Sequence, residues 1–301
     1  MIRAENLYKR YRKKVAVDDI SFDVVTGKVT GFLGPNGAGK STTMRLMLGL
    51  DNGKGKTTYD GKPLHDYARP SQVVGILLEA KAFHPTRTAR NHLKILADAG
   101  SIPHSRVDEV LDIVGLKDVA KKKPGKFSLG MSQRLGIAAA ILGKPKYLLL
   151  DEPANGLDPE GIAWLRTFIK DYADAGNAVF ISSHLLSEMS QMADNIVVIG
   201  KGKLIASTTM EQLIDGNSHS GVFVRAKNLA KLEKVLRDKK LTVAKLDGGL
   251  SVGGVKTDQV GELAFAAGLP LLELTNRSAS LEQVFFELTE GAQEYRSKEK
   301  K

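Results

Sequence analysis

The sequence predicts an α/β protein whose larger part is a mostly parallel sheet flanked by helices, followed by a small α+β domain. Three observations support this prediction. A glycine-rich loop at residues 34–41 stands between an apolar, strand-like segment and a helical one. A second apolar run, at 147–150, ends in two adjacent acids, as buried parallel strands do where they reach the ligand edge of a sheet. Beyond residue 221 the pattern reads strand, helix, strand, strand, helix, strand.

The elements of the larger part follow from hydrophobic periodicity along residues 1–215. Residues 1 to about 30 read as short strands with turns, including a strand at 16–24. Helical patterns at 89–99 and 107–114 predict a helical subdomain over about 84–142. Strands are then expected at 147–150, 178–182, 196–199 and 203–206, with a helix at 159–175. This alternation of strands and helices predicts the parallel sheet.

A polar, turn-rich linker at 215–221 separates the larger domain, 1–215, from a second domain, 216–301. We expect the second domain to have the ferredoxin-like βαββαβ order, with a final helix at 280–289 and a frayed, charged tail. It contains no recognisable catalytic cluster. An interaction or regulatory role is therefore predicted for it.

The glycine-rich loop fits the pattern G-x-x-x-x-G-K-[ST] without a mismatch. Its glycines let the backbone curl around a phosphate group where a side chain would clash. Lys40 is expected to reach the β- and γ-phosphates of a nucleotide, and the Ser41 hydroxyl to ligate Mg²⁺. The alternative is a glycine-rich turn that binds no ligand. The residues predicted to contact the nucleotide here are Asn36, Gly37, Gly39, Lys40, Ser41 and Thr42.

Two adjacent acids, Asp151 and Glu152, follow the apolar run at 147–150. Asp151 is placed to hold Mg²⁺ directly or through water, and Glu152 to polarise the attacking water. The alternative is that Glu152 only caps the following turn. Two acids together at the end of a buried strand favour the catalytic interpretation.

A third motif, Phe127-Ser128-Leu129-Gly130-Met131, lies between the glycine-rich loop and the acids. With these motifs in this order, residues 1 to about 215 closely resemble the ATP-binding subunit of an ABC transporter. The resemblance implies a RecA-like P-loop NTPase core with a helical subdomain. It also implies that Ser128 and Gly130 contact the nucleotide held by a second copy, so that ATP is hydrolysed between two copies.

The resemblance assigns roles to three further residues. Tyr11 falls where such proteins stack an aromatic ring on adenine, an interaction worth roughly 1–3 kcal/mol. Read alone, Tyr11 would be an ordinary half-buried ring. Asp158, within Asn155-Gly156-Leu157-Asp158, resembles the loop that crosses the dimer interface. His184 matches the switch histidine that contacts the γ-phosphate, although a lone histidine at a strand end is usually structural.

Two positions depart from the common pattern of the family. The usual Leu-Ser-Gly-Gly-Gln signature is Phe-Ser-Leu-Gly-Met here, which keeps Ser128 and Gly130 at the start of a helix expected at 132–142. Glu79 stands where a glutamine normally approaches Mg²⁺ and the attacking water. A carboxylate still serves as a Mg²⁺ ligand, but it adds negative charge near the γ-phosphate. Both features resemble ABC-2 exporters of drugs, antibiotic peptides and lantibiotics.

Composition limits the setting in which the protein acts. The chain has no cysteine, which excludes disulfides and thiolate zinc sites. No apolar stretch approaches the 18 or more residues needed to span a bilayer, and no signal peptide is evident at the start. The formal net charge of +10 suits either nucleic acid or anionic lipid, but the basic clusters have no interleaved aromatic residues apart from Tyr11 and are typical of a solvated face.

We therefore expect an ATPase that uses Mg²⁺ with ATP and drives a separate, multi-spanning membrane permease. The resemblance implies a peripheral protein on the cytoplasmic face of the membrane that pairs with a second ATPase copy, with no nucleic acid bound. The alternative is a soluble ABC-type ATPase acting on nucleic acid or ribosomes. The single P-loop and the lack of sustained heptads argue against that alternative. The sequence does not identify the cargo, and only the resemblance favours export over import.

Overall fold

A computed structural model of the chain describes residues 1–183, 186–215, 221–246, 248–277, 285–286 and 288. The chain forms two compact units, one built on Met1–Thr208 and the other spanning Thr209–Leu288. The second unit thus begins one short helix before the predicted boundary between 215 and 216. That domain boundary stays a prediction.

A six-stranded sheet forms the centre of the first unit, in the order β5-β6-β7-β3-β8-β9. Five of these strands run parallel, and β9 lies beside β8 at one edge. Every residue of β6 and β7 is buried, as expected for parallel strands covered on both faces. The strands are β3 (Lys28–Leu33), β5 (Val74–Leu77), β6 (Tyr147–Leu150), β7 (Ala178–Ser182), β8 (Asn195–Gly200) and β9 (Lys203–Thr209).

A three-stranded antiparallel sheet packs against the parallel one. It is formed by β1 (Ile2–Tyr11), β2 (Lys14–Val24) and β4 (Lys54–Tyr59), in the order β2-β1-β4. Phe22 of β2 stacks on Phe32 of β3 and Phe180 of β7, with ring centroids 5.8 and 5.4 Å apart. This aromatic cluster joins the two sheets into one core and fixes the start of the chain beside the glycine-rich loop.

Helices lie around the parallel sheet, and three of them fall within residues 84–142, the range predicted for the helical subdomain. The first unit contains α1 (Lys40–Met47), α2 (Ala89–Ala99), α3 (Ser105–Ile113), α4 (Leu129–Ala140), α5 (Pro159–Asp174) and α6 (Leu186–Met192). Short 3₁₀ turns lie at Leu64–Asp66, Pro70–Gln72, Lys117–Val119 and Pro124–Lys126. The mixed α/β architecture predicted for the larger part of the chain is confirmed.

The second unit contains α7 (Met210–Asp215), β10 (Gly221–Ala226), α8 (Leu229–Asp238), β11 (Thr242–Leu246), β12 (Gly249–Gly253), α9 (Thr257–Ala266) and β13 (Leu271–Arg277). From β10 onward this is the predicted βαββαβ order. The four strands form one antiparallel sheet in the order β11-β12-β10-β13. Leu232 and Leu236 of α8 join Val222, Val252 and Val260 in a separate buried core. Of the predicted final helix only Phe285, Phe286 and Leu288 are described, and these are helical.

One local prediction was wrong. The helix expected to start at 132 begins at Leu129, because the Ser128 hydroxyl accepts a hydrogen bond from the Met131 amide at 3.1 Å and so caps the helix earlier. The segment before Glu79 contains the edge strand β5, which the sequence did not predict. A Cβ at Gly75 would lie 2.0 Å from the Ala140 carbonyl oxygen, so the missing side chain allows β5 to pack directly on α4.

Candidate functional site

A cavity of about 400 Å³ opens at the carboxyl ends of β3 and β6, where ligands bind in open α/β sheets. It brings together the glycine-rich loop, the two acids and the aromatic residue near the start of the chain. Its lining consists of Tyr11, Lys14, Ala16, Pro35, Asn36, Gly37, Gly39, Lys40, Ser41, Thr42, Asp151 and Glu152. The structure thus gathers most of the predicted nucleotide-binding residues around one space.

The path of the glycine-rich loop depends on residues without a side chain. Gly37 and Gly39 have φ angles of 81° and 106°, in the region that favours glycine. A Cβ at Gly39 would lie 2.3 Å from the Ala16 carbonyl oxygen. The loop therefore turns tightly beneath β2 before α1 begins at Lys40, and the amino end of α1 points its free N–H groups toward the cavity.

Lys40 is held at the centre of this loop. Its side chain is only 8% exposed, and its Nζ donates a hydrogen bond to the Gly34 carbonyl oxygen at 2.7 Å. The same Nζ lies 3.7 Å from Glu152 Oε1. The Lys40 ammonium group thus lies between the glycine-rich loop and the carboxylate of Glu152. A phosphate group bound by the loop would need positive charge at this position.

Ser41 and Asp151 form the pair of oxygen donors expected for Mg²⁺. Ser41 Oγ donates a hydrogen bond to Asp151 Oδ2 at 2.6 Å, and Ser182 Oγ donates one to Asp151 Oδ1. A hydroxyl and a carboxylate at this separation are the hard oxygen ligands that Mg²⁺ prefers alongside phosphate oxygens. These residues therefore fit the ion, with Ser182 fixing the orientation of the carboxylate.

Glu152 has an unusual backbone conformation. Its φ angle is 49°, a left-handed value uncommon for a residue with a side chain. Two contacts hold the conformation: the Glu152 amide donates to Ser182 Oγ at 2.9 Å, and Gln133 Nε2 donates to the Glu152 carbonyl oxygen at 3.1 Å. The carboxylate is thereby directed toward Lys40, 22% exposed at the cavity wall, as a residue that activates water would be.

Tyr11 lines the cavity together with the residues of the glycine-rich loop. The residue is 46% exposed, which agrees with a half-buried ring, and its stacking on adenine stays a prediction. Its hydroxyl donates to Asp51 Oδ2 at 2.6 Å, and this hydrogen bond raises the pKa of Tyr11. The exposed part of the Tyr11 ring at the cavity is a surface on which a nucleotide base could stack.

A second group of predicted residues lies elsewhere in the first unit; we call Ser128, Gly130, Gly156 and Asp158 the signature cluster. Gly130 packs so tightly that a Cβ there would lie 3.0 Å from the Gly156 carbonyl oxygen. Asp158 Oδ1 accepts from the Gly161 amide at 2.9 Å and caps α5. Within the described part of the chain, the signature cluster contributes nothing to the lining of the nucleotide cavity.

Glu79 lies in a different surface feature from the one predicted. It lines an apolar groove of about 750 Å³ between the β5 edge of the sheet and the helical subdomain, together with Arg45, Ile76, Leu96 and Leu135. Among the described residues it is not part of the nucleotide cavity. Its predicted contact with nucleotide and Mg²⁺ stays a prediction. His184 lies outside the described residues.

Sequence reasoning missed the residues that support the site. Ser182 and Gln133 hold Asp151 and Glu152, and Asp51 holds Tyr11, but none of them belongs to a short motif with an evident ligand. Of these three residues, only Ser182 was indicated by the sequence. It is a polar residue at the end of a β-branched strand, and the preceding predicted strand ends in the two acids. Gln133 is 19 residues from Glu152 along the chain, and Asp51 is 40 residues from Tyr11. A single sequence does not reveal contacts between residues so far apart.

Two further features of the described residues bear on the setting of the site. No helix there is long and apolar enough to cross a membrane. No group of three or more histidine, cysteine, aspartate or glutamate residues able to hold a metal was found in the same ranges.

Comparisons with known proteins give the site its family context. A protein-family model described as "ABC transporter" matches residues 17–155, and one described as a domain of unknown function (DUF8746) matches 220–282. The bacitracin transport ATP-binding protein BcrA of Bacillus licheniformis is 36% identical, over 97% of this chain and 98% of that protein. The lantibiotic transport ATP-binding protein SrtF of Streptococcus pyogenes is also 36% identical, over 73% of this chain and 93% of that protein.

A solved structure titled "Structure of ATP binding subunit of ABC transporter" superposes with a TM-score of 0.64 and covers 88% of this chain and 99% of that chain. At 24% sequence identity it speaks for the fold alone. It confirms the predicted P-loop core with its helical subdomain. The inference from fold to function rests on the sequence relatives and not on this solved structure.

Proposed function

The chain belongs to the family of ABC transporter ATP-binding proteins, and from this premise we propose that it powers an export permease by closing with a second copy around Mg-ATP. One observation carries the proposal. The chain gathers Lys40, Ser41, Asp151 and Glu152 around one cavity, while the signature cluster lies outside its lining in the described residues. A second copy, placed head to tail, supplies the missing cluster to each cavity.

The binding step follows from the loop and the lysine. The amide groups of the loop and of the first turn of α1 donate to phosphate oxygens, and Lys40 pairs with the β- and γ-phosphates. Mg²⁺ held by Ser41 and Asp151 neutralises phosphate charge when it is bound. The Tyr11 ring covers the base. Each of these residues lines the cavity, which supports a single binding mode for the whole nucleotide.

The hydrolytic step depends on Glu152. Its carboxylate accepts a proton from the attacking water, while its backbone stays fixed by Ser182 and Gln133. Ser128 and Gly130 of a second copy would close over the γ-phosphate and orient it, with the amino end of α4 favouring the anion. Hydrolysis then removes the group that holds the two copies together, and the pair reopens.

The apolar groove supports the permease as the second partner. Ile76 and Leu96 in its wall are 40% and 37% exposed, and the lining is otherwise largely aliphatic. A short helix of a membrane protein presents an apolar face of the kind that fits such a groove. Glu79, which departs from the family pattern, lines the same groove. A permease helix that moves in the groove would therefore also move against Glu79. Under this proposal the protein acts peripherally at the cytoplasmic face of the membrane.

Export is proposed from two sources: the ABC-2-like features at Ser128–Gly130 and Glu79, and the relatives named for bacitracin and lantibiotic transport. Those names describe other proteins, and the cargo of this one is decided by its permease. The relatives do not favour the alternative of a soluble ATPase acting on nucleic acid or ribosomes.

Co-purification from solubilised membranes tests the proposal. We expect the Glu152→Gln variant, kept with Mg-ATP, to retain a protein with several membrane-spanning helices. Ile76→Asp, which places a charge in the groove, should release that partner and leave ATP binding intact. Recovery of RNA or DNA in place of a membrane protein would support the alternative function.

A further inference from the structure

Asp51 connects two side chains beside the nucleotide cavity. Its Oδ2 accepts the hydrogen bond from the Tyr11 hydroxyl at 2.6 Å, and its Oδ1 lies 3.1 Å from an Arg45 guanidinium nitrogen. Its side chain is only 15% exposed. A carboxylate held on one oxygen by Arg45 has a fixed orientation, so its other oxygen is a fixed anchor for the Tyr11 hydroxyl.

Lys9 restrains the same ring from one face. Its Nζ lies 4.8 Å from the centre of the Tyr11 ring, and it donates a hydrogen bond to the Asn52 carbonyl oxygen. Lys9 is absent from the described lining of the cavity, whereas Tyr11 is part of it. The ring is therefore contacted by Lys9, held at its hydroxyl by Asp51, and part of the cavity lining.

An exposed tyrosine that is not held loses rotamer freedom when a base stacks on it, which weakens binding. A ring already fixed by Asp51 and Lys9 avoids most of that loss. We propose that Asp51 is a positioning residue for nucleotide binding, which holds the Tyr11 ring in the orientation that stacks the base. The inference rests on the proposed role of Tyr11, and the test separates the two.

The test compares a ligand that has a base with one that has none. ADP contains the base and is not hydrolysed, whereas inorganic pyrophosphate contacts only the phosphate-binding residues. We expect Asp51→Ala to lower the ADP affinity about three- to tenfold and to leave the pyrophosphate affinity unchanged. Asp23→Ala is the matched control, since Asp23 also pairs with an arginine on the antiparallel sheet but lies 43% exposed and away from the cavity lining in the described chain.

Tyr11→Phe keeps the ring and removes only the hydroxyl, so it tests the anchor without disturbing the pair between Asp51 and Arg45. It should lower the ADP affinity by about the same factor as Asp51→Ala, and the double variant should lose no more than either one. Since Tyr11→Phe alters the fewest contacts, it decides the matter if Asp51→Ala does not fold.

Three results overturn the inference. Equal losses for ADP and pyrophosphate in Asp51→Ala would show a general structural role. Unchanged ADP affinity in Tyr11→Phe and Asp51→Ala, with a loss in Tyr11→Ala, would keep the stacking role of Tyr11 and remove that of Asp51. Unchanged ADP affinity in Tyr11→Ala would remove the stacking role itself.

Discussion

The nucleotide cavity and the signature cluster differ in how completely one chain assembles them. Around the cavity, residues from three distant segments meet at hydrogen-bonding distance, as Ser41 and Asp151 do at 2.6 Å. In the signature cluster, the polar groups bind their own helices: Ser128 caps α4 and Asp158 caps α5. One copy therefore gathers the residues proposed to bind the nucleotide around its own cavity, while its signature cluster lies outside the described lining of that cavity.

Under the proposed function, this difference gives binding and hydrolysis separate structural requirements. Binding uses the cavity residues of one copy. Hydrolysis needs groups on the far side of the γ-phosphate as well, and the proposal assigns these to the signature cluster of a second copy. Substitutions in both regions should lower hydrolysis, but for different reasons: loss of a chemical group in the cavity, or a clash between the two copies at the signature cluster.

Glu152→Gln should have the largest effect on the cavity side. Loss of the carboxylate removes the group that accepts a proton from water, so steady-state ATP hydrolysis should fall by about 10²–10⁴-fold. Lys40 and the loop are untouched, so ATP binding should persist and the closed pair should accumulate. Phosphate release assays and size-exclusion chromatography with ATP measure both. Near-normal turnover would assign the role of base to another residue.

Ser128→Arg should have a comparable effect from the other region. The large cationic side chain would clash with the phosphate held by the opposing copy, so hydrolysis should fall at least about 100-fold. Nucleotide affinity of the single chain should not change, because Ser128 is not part of the described cavity lining. Ser128→Ala removes the cap and the proposed hydroxyl contact with the phosphate together, so it separates these losses from the clash that arginine introduces. Normal hydrolysis by Ser128→Arg would make the signature assignment wrong.

Removal of the predicted second domain, residues 216–301, should have a smaller effect. A chain ending at Asp215 keeps every described residue of the nucleotide cavity, so Mg-ATP affinity should not change. Because β10 to β13 with α8 and α9 form their own core, we expect their loss to weaken pairing of the two copies or to alter basal turnover. Calorimetry and analytical ultracentrifugation measure these quantities. Lost ATP binding in a folded, shortened chain would contradict the boundary, and unchanged pairing and turnover would contradict a regulatory role.

Glu79→Gln should have the smallest effect. The amide keeps an oxygen ligand and removes a negative charge, so hydrolysis should be equal to that of the natural chain or higher. Glu79 also lies near Arg45, whose pKa is raised mainly by Asp51 and to a lesser extent by Tyr11 and Glu79. Steady-state rates at saturating ATP test the prediction. A strong loss of turnover would show that the carboxylate itself is required in catalysis.

The sequence predicted features that depend on local patterns, and it did not predict contacts between distant segments. The glycine-rich loop, the acids after β6 and the βαββαβ order of the second unit depend on local patterns, and the structure forms each of them where predicted. The bounds of β6 and β7 agree to the residue because their apolar runs end in polar residues. The supporting contacts of Ser182, Gln133 and Asp51 depend on long-range packing, which local patterns do not contain.

The early start of α4 has a different cause. The periodicity of apolar residues begins after Ser132, so the pattern placed the start of the helix too late. The Ser128 cap was visible in the sequence, but its hydroxyl had been assigned to the nucleotide alone. One side chain serves as the helix cap in this structure, and the resemblance assigns the same side chain to the phosphate of a second copy.

The most direct test of the central claim, that each catalytic site is shared between two copies, is cross-linking between chains. The chain contains no cysteine, so single cysteines introduced by Asn36→Cys and Ser128→Cys are the only thiols present. The two variants, each also carrying Glu152→Gln, are mixed with a short bifunctional maleimide, with and without Mg-ATP. We expect a covalent dimer in the mixture that depends on ATP, and far less in either variant alone. A cross-linking yield that is the same with and without ATP, or no dimer in the mixture, would contradict the shared site.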